Sequence, residues 1–130
     1  MKEALTYDDV LLVPQYSDIK SRSEVYLTSA LDESLVFKLP IVSSPMDTVT
    51  ESEMAFTMDR HGGLGIIHRY NSIEEQAGLV AEVINAGATK VGAAIGVSGD
   101  YFERAQTLVE NGVSVLCVDV AHGHHILMKD

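Results

Sequence analysis

From residue 39 onward, short apolar runs alternate with longer segments in which apolar residues recur at spacings of three and four. The runs are apolar at consecutive positions, which is typical of strands buried on both faces. The predicted strands cover residues 39–43, 64–68, 91–97 and 113–120. Strands of this kind, each followed by a helix, indicate a parallel sheet covered by helices.

Three helices are predicted between these strands. The first begins near Thr50, which together with Glu53 matches a capping box, and ends at Gly62-Gly63. The second begins at Asn71-Ser72 and ends at Gly87. Its inward side is expected to carry Ile73, Ala77, Val80 and Ile84. The third covers about residues 100–110, and its expected inward residues are Phe102, Ala105, Leu108 and Val109.

Residues 1–38 differ from the rest, because an apolar run at 9–14 is followed by a polar stretch at 17–24. We expect an N-terminal arm of loops and short strands over 1–38. Residues 39–130 then form the second unit. The division falls where the regular alternation begins.

Four βα units are compatible with two architectures, which are a doubly wound open sheet and a (β/α)₈ TIM barrel. No predicted strand is followed by the G-x-G-x-x-G turn of a dinucleotide-binding sheet, and residues 62–65 precede a strand instead. The barrel is therefore favoured. Four units form half of a barrel, and residues 128–130 lie where a fourth helix would run, so we expect a truncated α/β barrel.

Composition narrows the class of partner. The 130 residues include 46% hydrophobic ones, enough for a core, and carry a net charge of -10. The electrostatic field of a protein with this negative charge repels polyanions, which argues against nucleic acid as a partner. No apolar stretch approaches the length of a membrane span or a signal peptide, so we expect a cytoplasmic protein with no membrane partner.

The single cysteine could be a nucleophile, and the clustered histidines could bind a metal. Cys117 lies in an apolar run with no neighbouring base, so we interpret it as a core residue and not a nucleophile. His122, His124 and His125 lack the spacing that places two imidazoles on one helical face. No metal site is predicted.

Polar segments follow all four strands, where ligands of parallel α/β proteins bind. Asp119 ends an apolar strand and needs a partner, which could be a ligand hydroxyl, a helix N-terminus or an internal cation. His68 could be a structural hydrogen-bonding group or a ligand contact. Local spacing leaves these alternatives open.

Taken together, five stretches resemble one family, inosine-monophosphate dehydrogenase and guanosine-monophosphate reductase. They occur in the family's order and span nearly the whole chain. The stretches are LTYDDVLLVP at 5–14, SSPMDTVTE at 43–51, GGLGIIH at 62–68, VGAAIG at 91–96 and DVAHG at 119–123.

The resemblance implies a (β/α)₈ barrel, a homotetramer, and a purine nucleotide attacked at C2 by a cysteine on a loop beyond residue 130. The dehydrogenase passes a hydride to NAD and releases xanthosine monophosphate, whereas the reductase uses NADPH and expels ammonia. A monovalent cation is possible in the full-length enzyme. By position in the motifs, Ser44 and Met46 would bind the nucleotide, and His68 and Asp119 the cofactor. No residue of 1–130 matches a catalytic position.

The chain departs from the dehydrogenase pattern at 84–90, which bridges the position of a regulatory pair of cystathionine-β-synthase-type modules. Most reductases also lack this insert, and 119–121 is reductase-like, whereas 44–51 is dehydrogenase-like. We favour the dehydrogenase, with the reductase as the alternative. A third hypothesis is a non-catalytic truncated paralogue that acts as an oligomerisation partner. In each case the 130 residues alone are expected to be inactive.

Overall fold

A parallel sheet of four strands forms the centre of the computed structural model, which describes residues 2–129. Its strands are β3 (Val42–Ser43), β4 (Leu64–Ile67), β5 (Gly92–Ile95) and β6 (Val115–Val118), and its helices are α1 (Ser52–Arg60), α2 (Ile73–Asn85) and α3 (Tyr101–Glu110). The predicted alternation of strands and helices is confirmed. All four strands are shorter than predicted.

The strand order, β3-β4-β5-β6, follows the chain without a switch point. All three pairings are parallel, and β5 and β6 pair over their full length, with Gly92 opposite Val115 and Ile95 opposite Val118. Successive parallel strands therefore have their carboxyl ends at one edge of the sheet.

The core lies mainly between the sheet and the helices. Its buried members, from all three helices and from both central strands, are Ala55, Ile67, Val80, Val83, Val91, Ala93, Ile95 and Leu108. A smaller cluster on the other side of the sheet joins Phe37, Leu64, Ile66 and Ala94. Burial on both faces is confirmed for β4 and β5, whose residues are all buried, but it is wrong for the outer strands β3 and β6, whose residues are partly buried or exposed.

The second helix begins as predicted and the first does not. The Ser72 hydroxyl accepts from the Glu75 amide at 3.1 Å, and the Glu75 carboxylate accepts from the Ser72 amide at 2.9 Å, a full capping box. In α1 the N-cap is Glu51, so the predicted Thr50 cap is wrong. The Thr50 hydroxyl, fully buried, instead donates to the Ser44 carbonyl at 2.7 Å and to the Ser43 hydroxyl at 2.9 Å.

The inward face of α3 was predicted incorrectly in part. Phe102 and Val109 are 64% and 58% exposed, whereas Arg104 and Leu108 are buried. A buried arginine has no apolar signature, so the spacing rule missed it.

The N-terminal residues form little regular structure. The apolar run at 9–14 is not a strand; a 3₁₀ turn covers Tyr7–Asp9 instead, and others cover Arg22–Glu24 and Ile126–Met128. The strands β1 (Ser29–Ala30) and β2 (Val36–Phe37) form an antiparallel pair. Within residues 2–129, no helix has both the length and the apolar character to cross a membrane.

Candidate functional site

The polar residues predicted as ligand contacts lie at one edge of the sheet. Ser44 follows β3, His68 follows β4 and Asp119 follows β6, while Gly96, which was not a predicted contact, follows β5. Because all four strands are parallel neighbours, these positions are at the carboxyl ends of adjacent strands.

The loop after β3 is held by Thr50 and presents its other side chains to solvent. Besides accepting from Thr50, the Ser44 carbonyl accepts from the Met46 amide at 2.9 Å, which makes a tight turn. Ser44 is exposed, and Met46 is 50% exposed. The loop therefore offers a hydroxyl and a soft apolar side chain to a ligand.

His68 is almost fully buried, at 3% exposure, and both of its ring nitrogens have partners. Nδ1 accepts from the Tyr70 amide at 3.1 Å, so the ring proton lies on Nε2, which donates to Glu51 Oε1 at 3.1 Å. The His68 side chain thus joins the end of β4 to the start of α1. The ring also lines an open groove of about 640 Å³ together with Asp47, Glu51, Tyr70, Asn71, Glu75, Gly78, Leu79 and Glu82.

Asp119 is paired with Arg69 across the sheet edge. Arg69 Nε donates to Asp119 Oδ2 at 3.3 Å, and Nη2 donates to the Asp119 carbonyl at 3.1 Å. Of the three partners left open for Asp119, the structure gives the internal cation. Within residues 2–129 the Asp119 Oδ1 atom has no hydrogen-bond donor, so it remains able to accept from a ligand hydroxyl.

Arg69 is the site residue that sequence reasoning missed. Its guanidinium lies 5.7 Å from the Tyr70 ring centroid and passes beside Gly96, where an added Cβ would be 3.5 Å from Nη1. The available signal was a cation directly after a predicted strand and next to His68. An added Cβ at position 96 would therefore only touch this guanidinium, which crosses from β4 to β6 beside the end of β5.

Cys117 has the environment expected of a weakly reactive thiol. Burial raises its pKa, and the Asp119 carboxylate raises that pKa further by opposing a second negative charge. Such a thiol is mostly protonated at neutral pH and is a poor nucleophile.

The clustered histidines lie close together without forming a ligand set. The His122 ring centroid is 6.4 Å from those of His124 and His125. Within residues 2–129, no three histidine, cysteine or acidic side chains are placed to share a metal ion.

Fold and site together define a class of protein, a parallel α/β protein whose strand ends carry a hydroxyl, a carboxylate and a guanidinium paired with that carboxylate. The family model described as IMP dehydrogenase / GMP reductase domain matches residues 4–130. The chain therefore belongs to the IMP dehydrogenase / GMP reductase family.

The similar proteins include both dehydrogenases and reductases. An inosine-5'-monophosphate dehydrogenase of Nitrosopumilus maritimus is 52% identical over 99 residues, covering 76% of this chain and 21% of the relative. A GMP reductase of Leishmania donovani is 51% identical over 86 residues, covering 66% and 18%. The chain thus spans about a fifth of these relatives.

A longer alignment, with a third relative, includes residues that this chain lacks. An inosine-5'-monophosphate dehydrogenase of Cryptosporidium parvum is 37% identical over 166 residues, covering 95% of this chain and 41% of the relative. Since 166 positions exceed the 130 residues of the chain, the relative carries residues inside the matched region that this chain lacks.

Proposed function

We propose that these residues contribute the first half of a (β/α)₈ barrel to a purine nucleotide oxidoreductase, with IMP dehydrogenase as its activity. The match of the family model to residues 4–130 is the observation that carries the proposal. The order of β3 to β6, which follows the chain, supports a barrel over a doubly wound sheet. In this proposal 1–38 form an arm and 39–130 the barrel half.

The nucleotide would lie against the loop after β3. Ser44 is exposed and carries a hydroxyl that can both donate to and accept from a sugar or phosphate. Met46 is half exposed and offers a polarizable surface for a flat purine ring. Thr50 would keep this loop in place, because its hydroxyl contacts Ser43 and Ser44 and its amide donates to the Met46 carbonyl at 2.9 Å.

The cofactor would lie toward β5 and β6. Asp119 Oδ1 can accept a hydrogen bond from a ribose hydroxyl while Arg69 holds the other oxygen, and Gly96 allows close approach. His68 would border this region as a buried ring that links two loops. When bound, NAD supplies the hydride acceptor. The donor set therefore fits a nicotinamide dinucleotide, and the cysteine nucleophile would come from outside residues 1–130.

GMP reductase, with NADPH, is the second candidate. The Leishmania relative at 51% identity and the direct connection between α2 and β5 favour it. A homotetramer, a monovalent cation, a cytoplasmic location and the non-catalytic paralogue stay predictions.

Steady-state assays of the natural gene product test the proposal. We expect IMP, NAD and water to give xanthosine monophosphate, NADH and a proton. Turnover of GMP, NADPH and a proton to IMP, NADP and ammonia instead would show a reductase. Turnover of neither pair would contradict both candidates and favour the oligomerisation partner.

Asp119→Asn tests the cofactor half of the site. The amide keeps the shape but loses the charge that strengthens a hydrogen bond from a ribose hydroxyl. We expect the KM for NAD to rise about tenfold while the KM for IMP stays within about twofold. Asp18→Asn, on the exposed arm, is the matched control. Equal effects of the two variants would contradict the role of Asp119.

A further inference from the structure

A buried arginine outside the site contacts the loops that form it. Arg104, in α3, is 6% exposed, and a buried cation is tolerated only when its donors are paired. Its Nη2 donates to Asp100 Oδ2 at 2.7 Å and to the Asn71 carbonyl at 3.0 Å. Its Nη1 donates to Gln76 Oε1 at 2.8 Å and, at 3.5 Å, to the Ser72 carbonyl.

Gln76 continues this network into the sheet. It is fully buried in α2, and its Nε2 donates to the Ala94 carbonyl in β5 at 2.8 Å and to the Ile67 carbonyl in β4 at 3.4 Å. One guanidinium and one amide thus connect α3 and α2 with the carboxyl ends of two adjacent strands.

The segment held in this way is 68–72, the connection from β4 to α2. Gln76 holds the residue before it, Ile67, and Arg104 holds the carbonyls at its end. Between these two anchors lies Arg69, whose side chain reaches Asp119. The orientation of the Arg69 side chain therefore depends on a segment that is fixed at both ends by two buried side chains, Gln76 and Arg104.

We propose that Arg104 and Gln76 are a positioning pair that fixes residues 68–72, so that Arg69 holds Asp119 in the orientation that binds the cofactor. The role deepens the proposed function and rests on it. The planar guanidinium spreads its donors over two nitrogens, with Nη1 on Gln76 and Nη2 on the Asn71 carbonyl and Asp100, a spacing that the single compact ammonium of lysine does not reproduce. Neither residue is catalytic, because both are buried behind the residues proposed to contact the ligands.

Kinetics of Arg104→Lys in the natural gene product test this assignment. We expect the KM for the nicotinamide cofactor to rise about tenfold, with kcat at saturation within about threefold. The KM for the nucleotide should stay within about twofold, because Ser44 and Met46 lie on another loop. Arg60→Lys, at the exposed end of α1, is the matched control. A parallel loss for both substrates would indicate a merely structural arginine and overturn the proposal.

Hydrogen exchange gives a readout that needs neither cofactor nor turnover. The Tyr70 amide, which donates to His68 Nδ1, should exchange about tenfold faster in Arg104→Lys, while the amides of β5 keep their protection. Unchanged exchange at 68–72 would overturn the assignment. If Arg104→Lys does not fold, Asp100→Asn weakens a single, half-exposed contact of the same fork and should shift exchange at 68–72 in the same direction. Wild-type protein without turnover would contradict the proposed function alone, since exchange still tests the pair.

Discussion

At the residue scale, Cys117 is the side chain whose chemistry is most easily misread. It is the only cysteine of the chain, yet burial and the nearby Asp119 carboxylate raise its pKa. We expect Cys117→Ala in the natural gene product to keep kcat within about threefold, since a protonated thiol takes no part in attack. Loss of all turnover, with the protein still folded, would make Cys117 the nucleophile.

Asp100 gives a pH dependence whose sign is fixed by its partner. The hydrogen bond from Arg104 lowers its pKa below the ordinary 3.8. A carboxyl with a depressed folded-state pKa contributes stability above its unfolded pKa, and that contribution is lost as pH falls through the folded value.

Asp100→Asn should therefore lower the urea midpoint of unfolding at about pH 7, and the difference from wild type should shrink as the pH falls below 3.8. Glu103→Gln, its exposed neighbour on α3, is the control. A midpoint difference that persists in acid would contradict the charge-based account.

Residue-scale contacts show why part of the site escaped prediction. The end of β6 was predictable, because an acid after an apolar run stands out. Its partner Arg69 lies 50 residues earlier, and no local pattern encodes which cation reaches that far. Arg104 was hidden in the same way, by an apolar expectation for α3.

At the element scale, the packing of α1 on β4 depends on a glycine. A Cβ at Gly65 would lie 2.5 Å from the Ala55 Cα, so Gly65→Ala should destabilise the protein by about 1–3 kcal/mol. Gly78 is an exposed position of α2 where an added Cβ would meet nothing within 4 Å, and Gly78→Ala should stabilise the protein by ~0.5–1 kcal/mol. Thermal unfolding of both variants measures the contrast. Shifts in the same direction would contradict the packing described here.

Helix starts show which element features are local. The Ser72 capping box lies within four residues of sequence and could be predicted from it. Thr50 has the same residue pattern, but its hydroxyl is used by the loop after β3, a contact formed only in the folded chain. Tertiary contacts thus decided the first cap, and sequence alone the second.

At the scale of the whole molecule, the alternation of apolar runs and helices predicted a parallel sheet, whereas the strand order β3-β4-β5-β6 is known only from the structure. The connection from α2 to β5 is closed by Asp59 of α1, whose carboxylate accepts from the Thr89 amide and hydroxyl at 2.9 Å and from the Lys90 amide at 3.1 Å. In the family that the sequence resembles, the regulatory modules are inserted at this connection. In this chain the connection is an ordered turn held by α1.

A crystal structure of the natural gene product with IMP and NAD would show whether both ligands bind at the carboxyl-terminal edge of β3 to β6. We expect the purine to lie against Ser44 and Met46, and a cofactor ribose hydroxyl to lie within hydrogen-bond distance of Asp119 Oδ1 while Arg69 still contacts Oδ2. Ligands bound at the opposite, amino-terminal edge of β3 to β6 would contradict it.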